Sequence, residues 1–231
     1  METIASRLGR VRQRIADAEA RAGRASGSVS LLAVSKTFGP DAVREAHAAG
    51  QLAFGENYAQ EAETKIATLA DLGLQWHFIG PIQSNKTRGL AERFDWVHSL
   101  ERDKIARRLS EQRPAHCAPL SVCLQVNISG EASKSGCAPE ALAELAAQVR
   151  ALPNLRLRGL MAIPEATDSE REQRRAFAAL RRLFEALRAA HPDLDTLSMG
   201  MSGDLEAAIA EGATLVRVGS AIFGERQYNP G

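Results

Sequence analysis

Cysteine is scarce in this chain. Three residues, Cys117, Cys123 and Cys137, form no CxxC pair, and an odd count is a poor disulfide framework, so all three are expected as reduced thiols. The five histidines, His47, His77, His98, His116 and His191, lack HxxxH or any other ligand spacing, which leaves little support for a metal site and reads each as a surface or supporting residue. No apolar run approaches the roughly 20 residues of a membrane span. Residues 1 to 24 alternate charged with apolar side chains instead of building a signal-peptide core, so a cytoplasmic chain off the membrane is expected. No charge of one sign dominates: 29 Lys and Arg face 28 Asp and Glu, and a formal charge of +1 creates no field toward nucleic acid or a lipid surface.

What is present is a regular alternation. At 231 residues the chain is long enough for one sizeable core, and no linker or composition break divides it, so residues 1 to 231 are expected as a single domain. Ile4, Leu8, Val11 and Ile15 fall on one stripe of a helix over 2–22. Short apolar runs then predict strands over 31–37, 52–57, 75–80, 96–100, 120–128, a run ending at 163, 196–199 and 214–219. Helices are predicted between them over 40–49, 58–72, 85–93, 102–112, 139–152, 169–190 and 204–211, several stopped by glycine. Strict alternation demands parallel strands joined by right-handed crossovers. Eight of them predict an α/β fold closed as a single (β/α)8 TIM-type barrel. A helix is missing after the last strand and one is in surplus before the first, so the N-terminal helix is expected to fill the gap between them. A doubly wound open sheet is the alternative, but no GxGxxG fingerprint follows the first strand.

Two places carry chemistry. The first is Lys36, at the end of the apolar run Leu31-Leu32-Ala33-Val34. A lysine is rarely buried, and a partly desolvated one becomes an amine nucleophile able to form a Schiff base with an aldehyde or ketone. The second is the pair of loops after strands seven and eight, where such barrels commonly hold a phosphate. Ser198 to Asp204 and Arg217 to Gly224 supply glycines and small residues around Ser202 and Ser220, whose plainer reading is as helix caps. Arg217 is the odd charge in the apolar strand Leu215-Val216-Arg217-Val218, and in a closed barrel it neighbours Lys36. Its positive charge would favour the neutral amine of the lysine. Lysine, arginine and a phosphate cup suit an aldehyde that bears a phosphate: pyridoxal 5′-phosphate, or a phosphorylated sugar in a lysine-dependent class I aldolase.

Seven motifs in order carry a resemblance. Ala33-Val34-Ser35-Lys36-Thr37, Phe54-Gly55-Glu56-Asn57-Tyr58, Trp76 to Lys86, Gln125-Val126-Asn127-Ile128, Ser133-Lys134-Ser135-Gly136, Gly159 to Pro164 and Leu197 to Ser202 resemble the pyridoxal phosphate homeostasis protein family. Phe38-Gly39 and Gly130 depart from that pattern, at loop level. The resemblance implies a barrel like the N-terminal domain of alanine racemase, with pyridoxal phosphate held as an imine on Lys36. It further implies phosphate contacts at Ser202, Gly219 and Ser220, and Arg217 at the pyridine nitrogen. The role implied is vitamin B6 balance without an established catalytic reaction; a racemase-like PLP enzyme of narrow range is the alternative. A monomer is expected, with PLP-dependent apoenzymes as candidate partners. An arginine at the pyridine leaves the ring nitrogen unprotonated and the electron sink weak. Asn57 and His77, near the ends of strands two and three, are read as groups that orient the cofactor or support the residues that touch it, while Glu56 and Tyr58 have no assigned role.

Overall fold

Eight parallel strands close on themselves in the order β1 to β8, with β8 paired to β1, in a computed structural model that describes residues 2–130 and 135–224. The strands are β1 (Ser30–Val34), β2 (Ala53–Glu56), β3 (Gln75–Phe78), β4 (Trp96–Leu100), β5 (Leu120–Gln125), β6 (Leu155–Met161), β7 (Thr196–Ser198) and β8 (Leu215–Val218). The helices are α1 (Ile4–Arg21), α2 (Pro40–Ala48), α3 (Ala59–Thr68), α4 (Thr87–Arg93), α5 (Asp103–Gln112), α6 (Leu142–Arg150), α7 (Glu170–Ala190), α8 (Leu205–Ala210) and α9 (Ser220–Phe223). The open-sheet alternative is excluded by the closing β1–β8 ladder, in which Leu32 faces Arg217.

Period-2 alternation sorts the strand residues into two layers. Ala33, Phe54, Trp76, Phe78 and Val97 join the large core that packs strands against helices. Leu32, Val34, Ile79 and Leu215 form one small cluster inside the bore, and Trp96, Cys123 and Met161 form another. The N-terminal helix lies where the missing helix belongs, in contact with α8, α9 and α2. Thr3 caps it by accepting from the Ser6 N–H, and Arg14 on it pairs with Glu206 and donates to the Ser202 carbonyl at 3.1 Å.

Some boundaries differ from expectation. Strand one ends at Val34, because Phe38 N–H turns back to the Ser35 carbonyl and Thr37 takes a left-handed φ of 69°. Strand five ends at Gln125, after which Val126 makes only an isolated parallel bridge with Cys137. The helices expected over 58–72, 85–93 and 139–152 each carry a short 3-10 turn at one end. Ser133 and Lys134 of the fifth motif, and residues 225–231, lie outside the described residues. The three cysteines are unpaired, as expected, and among the described residues no helix is long and apolar enough to cross a membrane.

Candidate functional site

A cavity of about 330 Å³ opens at the carboxyl ends of the strands. Lys36, Asn57, Ser202, Arg217, Gly219 and Ser220, the six residues singled out in the sequence, all line it. They arrive from the loops after β1, β2, β7 and β8 and from β8 itself, the end of a barrel where catalytic and binding groups converge. Ile79, Ile163 and Met201 add apolar wall. A larger cleft of about 760 Å³ between α1, the start of α7 and α8 is walled by charges of both signs and contains neither Lys36 nor Arg217.

The cup differs from a pair of helix caps. Helix α8 has six residues and α9 four, and the residues that precede them, Asp204 and Gly219, make no side-chain cap bond. Ser220 Oγ instead lies 3.2 Å from Ser202 Oγ, so the two loops meet hydroxyl to hydroxyl. The backbone N–H groups of Ser202, Gly203, Gly219 and Ser220 take no partner among the described residues. Such a nest of unclaimed donors suits an anion. Its backbone is close-packed from behind: a Cβ on Gly219 would stand 3.2 Å from the Val34 carbonyl oxygen, and Gly200 holds a φ of 93° with a Cβ position only 2.5 Å from Ala208 Cβ.

Arg217 is buried at the cavity floor. Its Nη1 donates to Ser198 Oγ and its Nη2 to the Ala162 carbonyl, both at 2.9 Å. Burial lowers its pKa to about 10, opposed by the charge of Asp204, so it stays cationic at neutral pH. Asn57 contributes a buried Oδ1 that has no hydrogen-bond partner among the described residues.

Lys36 sits on a turn clamped from outside the barrel. Beside it, Ser35 Oγ donates to Glu56 Oε1 at 2.6 Å, and the Ser35 carbonyl accepts from Lys65 Nζ at 2.9 Å. Lys65 also pairs with Glu56 at 2.6 Å and Glu61 at 3.0 Å, and Glu61 accepts the Thr37 N–H at 2.7 Å. Both neighbours of Lys36 are therefore tied to one buried ionic cluster. Burial raises the pKa of Glu56, with Lys65 pulling it down. Glu56 is thus part of this clamp, behind the strand and away from the cavity. The cluster's key residue, Lys65, was missed. Its signal was a charge on the buried stripe of Ala62 and Lys65 in α3 and Leu69 just after it.

Burial excludes the surface reading for two of the histidines. His77 does not line the cavity; it lies inside the bore and bonds to His98 and Gln75. His98, read as a surface or supporting residue, is fully buried. Tyr58 is half exposed where α3 begins. Among the described residues no group of three potential ligands could hold a metal.

The alanine racemase N-terminal domain profile matches residues 7–227. A pyridoxal phosphate homeostasis protein of Pseudomonas aeruginosa is 65% identical over 228 residues, covering 99% of this chain and 98% of that one. PipY of Synechococcus elongatus, solved with PLP bound, superposes with a TM-score of 0.84 at 40% identity, over 96% of this chain and 100% of PipY. An alanine racemase from Corynebacterium glutamicum shares the fold at a TM-score of 0.66 and 18% identity; the match takes in 95% of this chain and 62% of the racemase. With the barrel, the cavity and these likenesses in agreement, the chain belongs to the pyridoxal phosphate homeostasis protein family.

Proposed function

We propose that the chain binds pyridoxal 5′-phosphate in the 330 Å³ cavity, holds it covalently on Lys36, and serves intracellular vitamin B6 balance as a carrier. The observation that carries this reading is a match of three groups to three features. The ligand has an aldehyde, a phosphate dianion and a ring nitrogen; the cavity has a lysine, a nest of unclaimed N–H and O–H groups, and a buried arginine. Condensation of the Lys36 amine with the aldehyde forms a C=N bond and releases water. Ser202, Gly219 and Ser220 hold the phosphate, Arg217 donates to the ring nitrogen, and Asn57, whose Oδ1 lacks a partner among the described residues, orients the ring.

When bound to an enzyme, this cofactor supplies an electron sink for carbanion chemistry. Arg217 opposes that use, since a guanidinium does not give up its proton to the ring. The cavity wall formed by Ile163 and Met201, both exposed, leaves the site open to outside amines and to acceptor apoenzymes. Absorbance titration with pyridoxal phosphate and with pyridoxal tests the reading. Tight binding of the first, with a new visible band, and at least tenfold weaker binding of the second is expected, since phosphate contacts number several and each ionic hydrogen bond is worth ~1.5–3 kcal/mol. Equal affinity for both would remove the phosphate cup. Solvent deuterium appearing at Cα of an amino acid, far faster than with free cofactor and only when Lys36 is present, would replace the carrier with a racemase-like enzyme.

A further inference from the structure

Beneath the cavity floor, a line of polar side chains crosses the barrel bore. From Arg217 Nη1 it runs to Ser198 Oγ at 2.9 Å, from Ser198 Oγ to His98 Nδ1 at 2.9 Å, and from His98 Nε2 to His77 Nδ1 at 2.9 Å. It ends with His77 Nε2 at 3.0 Å from Gln75 Oε1. Gln75 is the exposed first residue of β3, at the opposite mouth of the barrel, and the four residues between it and the cavity are buried.

Only one end of this line has a fixed polarity, because a guanidinium donates and never accepts. Ser198 Oγ therefore accepts from Arg217. Its single hydroxyl proton has one acceptor within reach, His98 Nδ1. A neutral His98 then carries its proton on Nε2 and donates to His77 Nδ1, and His77 in turn donates from Nε2 to Gln75. The reverse direction would have His98 donate to Ser198, leaving the serine hydroxyl proton without an acceptor at a site of zero exposure, a desolvation cost of ~1–3 kcal/mol. Burial keeps both rings neutral: it lowers the pKa of His77 to about 3 and that of His98 well below its ordinary value, where His77 and Arg217 press it further down. The other groups facing the rings do not reverse this. Trp96 stacks on His77, Arg158 lies over the Trp96 ring at 4.6 Å from its centroid and is paired with Asp195, and Cys123 packs on Trp96.

We infer that Arg217 sets the direction of a hydrogen-bond chain through the barrel, that His98 and His77 are both locked as Nε2–H tautomers, and that Ser198, His98 and His77 are positioning residues for Arg217. Beyond the guanidinium, every proton in the chain points away from the cavity. The tautomers stand on the geometry alone; the consequence for the cofactor rests on the reading that its ring nitrogen meets Arg217. On that reading the barrel offers the ring no acid proton, and delivering one would require turning the whole chain around.

Nitrogen-15 spectra of the cofactor-free, full-length chain test the tautomers without any dependence on pyridoxal phosphate. His77 and His98 are each expected to show a protonated Nε2 and a bare Nδ1, unchanged from about pH 5.5 to about pH 7.5, a range in which an ordinary histidine titrates. An Nδ1–H tautomer, or protonation of either ring in that range, overturns the inference. Ser198→Ala cuts the chain. The expected result is a mixture of tautomers at His98 and a shifted absorption band of the bound cofactor, with attachment at Lys36 retained and Ser198→Thr restoring the parent spectra. If Ser198→Ala folds and leaves both spectra unchanged, the three residues do not position Arg217. Failure of pyridoxal phosphate to bind would sink the proposed function and leave the tautomer result standing.

Discussion

The upper mouth of the barrel and the layer just below it treat polar groups in opposite ways. At the mouth, four backbone N–H groups and the Asn57 Oδ1 have no partner among the described residues. One layer down, Arg217, Ser198, His98 and His77 hand hydrogen bonds to one another in sequence, and behind the strands Lys65 ties Glu56, Glu61 and the Ser35 carbonyl together. An unpartnered polar group next to a cavity is a place for a ligand, whereas a buried cluster whose members bond mainly to one another is a support, even with Glu56 Oε2 left without a hydrogen bond among the described residues. The comparison makes a simple demand: damage to the supports should cost stability, and damage to the mouth should cost binding.

The largest expected effect is at the clamp. Lys65→Met strips the partner from a buried carboxylate, and loss of one member of a buried ion pair costs about 3–5 kcal/mol. Lys65→Met combined with Glu56→Gln should recover much of that loss in denaturant unfolding. A single variant as stable as the parent would show that the cluster does not clamp the turn.

Acid should weaken the bore next. The unfolded chain binds protons at histidine below about pH 6.5, while native His77, with its pKa lowered to about 3, and His98, also lowered, do not. Stability is then fully present above the unfolded pKa and falls as pH drops from 6.5 toward about 3, by up to ~1.4 kcal/mol per pH unit for each ring. Unfolding free energies between about pH 6.5 and pH 5, above the range of most carboxylates, check this. A flat profile there would mean that the rings titrate in the native state.

The smallest effect on the fold, and a selective one on binding, is expected at the cup. Ser202→Ala and Ser220→Ala should each weaken pyridoxal phosphate about tenfold or more, for a hydrogen bond to a charged group worth ~1.5–3 kcal/mol, and leave both pyridoxal affinity and melting temperature within error. A drop in melting temperature would assign the hydroxyls to the support instead.

The barrel was legible because its signals are local. Eight apolar runs alternate with amphipathic stripes, several of them stopped by glycine, and the surplus helix at one end matched the deficit at the other. Lys36 and Arg217 stood out as charges attached to apolar strands. The end of β1 was misread because a left-handed Thr37 has no signature in its residue type. His98 and Ser198 were missed as a pair for a different reason. They lie 100 residues apart on β4 and β7, strands that share no edge, and only closure of the barrel brings them face to face across the bore. Lys65 was hidden because lysine is ordinary on a helix, and its burial depends on Glu56, a carboxylate at the end of β2, as well as on Glu61 of its own helix.

The central claim is a covalent one, and one measurement meets it directly. Borohydride reduction of the pyridoxal-phosphate-loaded chain, followed by digestion and mass spectrometry, should place a single pyridoxyl phosphate group on the peptide that contains Lys36 and should leave Lys36→Ala unmodified at equal loading. A reduced group on any other lysine, or an unmodified Lys36 peptide from a chain that binds the cofactor, would contradict the account.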